Sequence, residues 1–362
     1  MRIAVLGGYG NAGRMLAGLL RRHTPSDLLI LGRDSRRAEA TARGLGLLAG
    51  AGSVDWAPVD ARHVRSLPAL LESWDVLVVA SSTVPETEAL ADAALEAGCD
   101  WFDLNSSVAT KRNALKCRLP RILEKGCCFV TDGGVHPGVP GALVRHAAAR
   151  MPLRRASVAA RFEIDWSALR LSAATREEFL DDLAEAELRL LVNGTWVRGY
   201  RYARSFDFGP PLGSATCVPM FLPELLEVRD ALPNLEDLGF FVAGFGPVTD
   251  WIVMPVATFG AWALPLARRC WADFLGWGLA TFGESGGGSA VLLQAEATTG
   301  ERLAIRLYHP DAYALTAAPA AAALLRWQDT RRPGLHTQAG FVDPALFLDD
   351  LQVMEVTVAT TE

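Results

Sequence analysis

The chain has 362 residues, is half hydrophobic and carries a formal net charge of −6. That length accommodates two domains with cores of their own, and the composition excludes a disordered chain. The acidic balance, without any long basic run, excludes nucleic acid as a partner.

Arg2 to Gly7 is an apolar run of strand length that leads into Gly8-Tyr9-Gly10-Asn11-Ala12-Gly13 and then an apolar helical pattern through Met15, Leu16, Leu19 and Leu20. A GxGxxG between a strand and an amphipathic helix is the fingerprint of dinucleotide binding. Gly8 is expected to permit the tight turn, Gly10 to let the backbone approach a pyrophosphate, and Gly13 to let helix and strand pack closely. The helix N-terminus offers free N–H groups to the phosphates, so Tyr9, Asn11 and Ala12 join the candidate site. The second strand, Leu28 to Leu31, ends in Gly32-Arg33-Asp34-Ser35-Arg36-Arg37. An NAD-preferring site places an acidic residue there. Arg33 stands in its place, with Ser35 and Arg36 beside it, and a guanidinium suits a 2′-phosphate. NADP is therefore the expected cofactor, with NAD the alternative because Asp34 is adjacent.

A helix over about Ser35 to Leu45, a strand from Val54 to Val59 closed by Asp60 and a short helix near Val64 to Leu71 follow. Asp75 to Ala80 is a continuous apolar strand of the kind buried in a parallel sheet. Ser81 and Ser82 at its carboxyl end are candidates for the cofactor or for capping the next helix. Helix Glu86 to Ala97, strand Trp101 to Leu104 with Asn105 at its end, helix Ala109 to Lys125 and strand Cys127 to Thr131 complete six strands with five intervening helices, a doubly wound Rossmann sheet. The stretch from Asp132 to Gly141 is too rich in glycine and proline to be helix or strand. It predicts a shaped loop at the sheet's carboxyl edge, where substrate would meet nicotinamide, and it carries His136.

Beyond Arg155 the pattern changes. It predicts a strand at Ala156 to Ile164, an amphipathic helix at Thr175 to Leu191, a strand at Leu238 to Phe245, a hairpin of Ala290 to Thr298 with Arg302 to Tyr308, and a last strand at Val353 to Ala359. Gly286 to Gly288 reads as a turn. This half contains no lysine, which excludes a Schiff-base lysine from it and leaves carboxylate recognition to arginines such as Arg161, Arg170 or Arg306. Trp251 to Ala267 has no charge but is short for a membrane span and interrupted by Pro255 and Pro265. Three readings stay open for it: a core or subunit-interface helix pair, an apolar wall of a substrate pocket, or a membrane-surface element. The six cysteines show neither a CxxC nor a zinc-site spacing, so no metal is expected and free thiols in a reducing cytoplasm are. No signal peptide is expected, because the first apolar run is cut by the glycine turn.

GGYGNAGR, the second-strand GRD, DGGVHPGVPGALVR, FDFGPPLG, and HPDAYALTAAPAAAALL with RRPGLHTQAGF together resemble the saccharopine dehydrogenase family of NAD(P)-dependent oxidoreductases, its saccharopine-reductase branch most of all. The resemblance runs nearly end to end. It implies a Rossmann domain over 1–140, a second α/β domain with a mixed sheet over 141–362, and a stretch near 310–350 that packs back on the first domain. It implies hydride transfer at a carbon–nitrogen bond joining an amino group to a carbonyl compound. Saccharopine-forming members carry an aspartate before the Pro-Gly where this chain has His136. An imidazole titrating near neutrality could act there as proton donor, or the residue could only fix its loop. A small-molecule substrate and a homodimer are the expected partners. The alternatives are a reductase of a carbonyl or activated C=C on a larger hydrophobic substrate, and a non-catalytic NADP-binding sensor or assembly subunit.

Overall fold

A computed structural model describes residues 1–168, 173–284 and 286–361. They form two compact units: Met1–His146 with Tyr313–Val356, and Ala147–Ala312 with the terminal strand from Thr357. The boundary read at residue 140 lies within a helix, and the change of unit comes a few residues later.

The first unit starts with β1 (Arg2–Leu6), α1 (Asn11–His23), β2 (Asp27–Gly32), α2 (Ser35–Gly46), β3 (Val54–Pro58), α3 (Leu67–Leu71), β4 (Val76–Val79), α4 (Thr87–Ala97) and β5 (Asp100–Asp103). It continues through α5 (Ala109–Cys117), α6 (Leu119–Glu124), β6 (Cys128–Thr131) and α7 (Val139–Arg150). The helix read as continuous from Ala109 to Lys125 is thus two helices. Pro120 has no N–H, and its ring would strike the carbonyl four residues back, so the chain breaks at Arg118 and restarts with Pro120 in the new first turn. Strand β4 and most of β1 are fully buried, as a sheet covered on both faces requires.

The second unit contains β7 (Leu153–Glu163), α8 (Ala173–Glu185), β8 (Arg189–Val192), β9 (Thr195–Arg198), β10 (Arg204–Asp207), β11 (Ser214–Met220), α9 (Glu224–Ala231) and β12 (Asp237–Ala243). A helical hairpin, α10 (Met254–Ala263) and α11 (Arg268–Phe282), precedes the β-hairpin β13 (Gly288–Ala297) and β14 (Arg302–His309). Its mixed sheet runs β10-β11-β12-β7-β13-β14-β16, where β16 is Thr357–Thr361, and only β12 and β7 pair in parallel. The helix expected to reach Leu191 ends at Glu185, because Leu190 and Leu191 belong to a hairpin turned by Asn193 and Gly194, both at positive φ. Val353 ends a helix, and the last strand starts only at Thr357. Gly288 opens β13, so the expected glycine turn is shorter than read. Arg170 lies outside the described residues.

The chain then returns to the first unit through α12 (Ala312–Leu325), α13 (Trp327–Thr330), β15 (Gly334–Thr337), α14 (Gln338–Phe341) and α15 (Phe347–Val353). Strand β15 pairs in parallel with β6 and makes the sheet seven-stranded, in the order β15-β6-β5-β4-β1-β2-β3. The order reverses between β1 and β4, and the carboxyl ends of those strands define the crevice where a doubly wound sheet binds its ligand. A shallow cavity of about 500 Å³ lined by Asp75, Asp100, Trp327 and Arg331 lies at the opposite edge, where strands begin.

Candidate active site

The glycine turn leaves β1 at Gly7, whose φ of +81° makes it the left-handed residue of the turn, in place of Gly8. Gly7 also lies against the end of β4: a Cβ there would sit 2.7 Å from both the Ala80 carbonyl oxygen and Ser81 Cβ. Gly8 is confined by the Val5 carbonyl oxygen and Ile30. Gly13 allows α1 to approach the loop, since its Cβ would come within 2.3 Å of the Gly7 carbonyl oxygen. Gly10 is different. Its Cβ would meet only the Gly7 carbonyl oxygen at 3.1 Å and, distantly, the Ala80 carbonyl oxygen. It occupies the N-cap of α1 without a side chain to cap the helix, so the N–H groups of Asn11, Ala12 and Gly13 face an open cradle. A side chain would fill that space, which is the fit expected of a pyrophosphate seat.

At the end of β2, Tyr9 lies flat against Gly32, where a Cβ would fall 2.2 Å from the ring. The Tyr9 hydroxyl accepts from the Asp34 backbone N–H at 3.1 Å, and the Arg37 guanidinium carbon stands 4.5 Å from the ring centroid. Tyr9 therefore props the arginine corner. Asp34, the ground for NAD as the alternative cofactor, caps α2, its Oδ1 accepting from the Arg37 N–H at 3.1 Å, so that oxygen is engaged within its own turn. Arg33, Ser35, Arg36 and Arg37 are exposed, and none of the three arginines makes an ion pair among the described residues.

Asp60 follows β3 but is clasped by Arg62, with Nη2 at 2.7 Å and Nε at 3.1 Å, and this holds its carboxyl well below the usual carboxylate range. Its oxygens are engaged within its own turn. After β4, Ser81 Oγ meets Thr83 Oγ1 at 3.3 Å, and Ser82 is partly exposed. Neither serine caps the following helix, whose N-cap position makes no side-chain bond.

The ends of β5 and β6 carry an assembly that the sequence reading did not single out. Lys111, fully buried, donates to Asp103 Oδ1 at 2.8 Å, to Asp132 Oδ1 at 2.9 Å and to the Asn105 carbonyl oxygen at 2.7 Å. Ser107 Oγ donates to the other oxygen of Asp132 at 2.7 Å. The two carboxylates outweigh desolvation and raise the Lys111 pKa. Asn105, expected at the cofactor, thus has its backbone wired into this cluster, its N–H reaching Asp103 Oδ1 at 3.2 Å. The next residues are equally fixed. Gly133 N–H donates to the Asp103 carbonyl oxygen at 2.8 Å, and the buried Gln338 amide grips Gly134 on both sides, accepting from its N–H at 2.9 Å and donating to its carbonyl oxygen at 3.0 Å. Gly138 must lack a Cβ because Gln338 Nε2 would lie 2.5 Å away.

His136 sits in the loop so anchored. The residue is half-buried, and burial of its ring pushes the pKa down to about 4. The expected group titrating near neutrality is absent: at pH 7 the imidazole is neutral. Neighbouring strands are about 4.8 Å apart, so the His136 loop lies roughly 14 Å along the carboxyl edge from the glycine turn.

In the second unit Arg161 is saturated by Glu163 at 2.7 Å, Glu284 at 3.0 Å and the Leu212 and Ser214 carbonyl oxygens. Such pairing leaves it no charge for a substrate carboxylate, contrary to its candidacy. Arg306 donates to the Pro210 carbonyl oxygen and stacks on Tyr308, while its Nε has no hydrogen-bond partner. All six cysteines are free, and burial pushes Cys128 up to about 11 and Cys217 up to about 12, so neither is a nucleophile. No metal-binding group is found among the described residues.

Residues 3–125 match the family model of the saccharopine dehydrogenase NADP binding domain. Among solved structures, the chain is similar to apo saccharopine dehydrogenase (L-Glu forming) from Saccharomyces cerevisiae, with 13% identity, full coverage of both chains and a TM-score of 0.66. At that identity the likeness establishes a common fold. An engineered D-amino acid dehydrogenase bound to NADP+ aligns over 97% of this chain and 98% of its own, at 16% identity and a TM-score of 0.49. No curated protein sequence matches the chain.

Proposed function

We propose, because residues 3–125 match the family model of the saccharopine dehydrogenase NADP binding domain, that this chain is an NADP-dependent oxidoreductase acting at the C=N bond of a substrate built from an amino compound and a carbonyl compound. One juxtaposition carries this reading: a bare glycine cradle, three arginines that make no ion pair among the described residues and a neutral, anchored imidazole share the carboxyl edge of one sheet. When bound, the cofactor supplies or accepts the hydride. Gly10 and the N-terminus of α1 hold the pyrophosphate, Ser81 and Ser82 offer hydroxyls to the ribose and phosphate groups, and Arg33 with Arg36 holds the 2′-phosphate.

The charge state of His136 favours C=N over C=O chemistry. A C=N substrate enters as an iminium and leaves as a neutral amine, so the site needs no acid at that atom. A ketone would leave an alkoxide that has to be protonated as it forms, and a neutral imidazole with a pKa of about 4 is poorly matched to that task. In the amine-oxidising direction the neutral imidazole is suited to accept a hydrogen bond from the substrate N–H and so orient the amine, and it is too weak a base to hold the proton. The working assembly in this reading is a homodimer acting on a small molecule. No helix among the described residues is long and apolar enough to cross a membrane. Cofactor oxidation with a panel of imines, ketones and enones is the test. Turnover of ketones or enones alone would defeat the reading, and no turnover with tight NADPH binding would point to a sensor.

Two expected results concern the cofactor. NADPH binds at least about tenfold more tightly than NADH, since one phosphate–guanidinium contact is worth roughly 1.5–3 kcal/mol, and Arg33→Ala removes most of that preference. Calorimetric titration of both cofactors measures it, and equal affinities would refute the arginine assignment. Gly10→Val abolishes binding while the melting temperature stays near wild type, because Gly10 has an extended backbone that valine adopts readily and its Cβ points into the cradle. Retained binding in a folded Gly10→Val protein would mean that the pyrophosphate lies elsewhere.

A further inference from the structure

The helical hairpin of the second unit buries only one of its faces. Val253, Ala257 and Ala261 pack with Leu180, Ala272, Leu275 and Leu279 into a small core, and Trp271 lies over Gly260, where a Cβ would be 2.4 Å from the indole. The opposite face carries Trp251, Ile252, Val256, Phe259 and Trp262, spaced to form one stripe along the helical stretch, and Leu266 is exposed in the turn just beyond it. Trp262 is 77% exposed, Trp251 69% and Phe259 65%. From Trp251 to Ala267 there is no charged residue. The stripe exposes apolar side-chain surface on the order of 900 Å², more than the few hundred Å² that a typical monomer leaves in one patch and about what each partner contributes to a stable interface.

We propose that this stripe is the surface on which a second copy of the chain docks, an inference that rests on the homodimer reading above and gives it a location. Self-association about a twofold axis sets the stripe against itself, and an uncharged stripe then meets no like charge. The flanking charges argue against a membrane as the occupant. Helix α8, packed beside α11, bears Glu177, Glu178, Asp181, Asp182 and Glu185 against the single Arg176. Of the nearby arginines, Arg176 is paired with Asp273 and Arg268 with Asp181, which leaves Arg269 as the one exposed cation against five carboxylates of α8 among the described residues. An anionic bilayer would be repelled by that flank, whereas interfacial helices that bind lipid carry basic residues on their polar face.

Sedimentation velocity of the full chain between about 0.1 and 100 μM tests the proposal. The wild type is expected at twice the chain mass, and Trp262→Asp is expected to raise the dissociation constant at least about 30-fold, as loss of a central aromatic anchor does. Phe259→Asp should act alike, and NADPH affinity and circular dichroism should be unchanged in both. Leu47→Asp, at an exposed site of the first unit, should leave the dimer intact. A wild type that stays monomeric at 100 μM overturns both the dimer reading and this surface. A dimer indifferent to both substitutions overturns the surface alone. A monomer that floats with phosphatidylcholine–phosphatidylserine vesicles, and loses that in Trp262→Asp, would replace the second copy with a lipid surface.

Discussion

Lys111→Met is expected to lower the unfolding free energy by about 3–5 kcal/mol, the usual cost of stranding a buried charge by removing its partner. Asp103 and Asp132 lose their shared cation, and the Asn105 carbonyl oxygen loses its donor. Net stabilities of about 5–15 kcal/mol leave little margin for such a loss. Urea denaturation followed by circular dichroism measures it, and a change below about 1 kcal/mol would show that the cluster relaxes. The pH dependence supplies an independent check. A lysine whose folded pKa is raised above 10.5 contributes stability that is fully present below 10.5 and disappears as pH rises through the folded value. The wild type should therefore lose stability in that alkaline window, and Lys111→Met should not show this component.

His136→Ala is expected to slow turnover by about tenfold, the loss of one positioning hydrogen bond to the substrate, with NADPH affinity nearly unchanged. The position of the pH limb is the sharper observation. With the pKa near 4, the imidazole stays neutral and able to accept a hydrogen bond from neutrality down to about pH 4, and loses that ability below it. The rate of amine oxidation should then show no limb between pH 6 and 7, and its acid limb should vanish in His136→Ala. A wild-type limb near 6.5 would mean that the imidazole is hydrated in the working enzyme. Normal turnover in the variant would reduce His136 to a loop residue. Burial of the neutral ring also has a stability consequence: as pH falls from about 6.5 towards 4 the unfolded chain binds a proton that the folded chain refuses, so stability declines in that interval.

The alternation of strand, glycine turn and helix was legible because it is local. Leu6 and Gly7 before GxGxxG, the run Val76–Val79 and the arginine after β2 each announce themselves within a few residues, through periodicity or through a turn that only glycine tolerates. The hairpin at Asn193-Gly194 was equally legible and was passed over. Leu190 to Val192 and Thr195 to Val197 flank a dipeptide made for a two-residue turn, but the acidic amphipathic run before it carries the helical pattern on through Leu190 and Leu191.

Other features have no local signature. Strand β15 is four residues long and contains a histidine and a threonine, and it is a strand only because β6 offers it a free edge more than 200 residues earlier in the chain. Gln338 follows that strand and reaches Gly134 only by virtue of the pairing. Lys111 was visible as one of three lysines in a chain that otherwise uses arginine, yet its two carboxylates lie 8 residues before it and 21 after it. The neutral state of His136 belongs to the same class, because a pKa is set by what surrounds the ring in space. Sequence by itself determined the Rossmann framework with its glycine turn and the arginine corner after β2, which are built from contiguous residues. Tertiary structure decided how the His136 loop is held and which charges are already spent, because those depend on contacts closed by long loops.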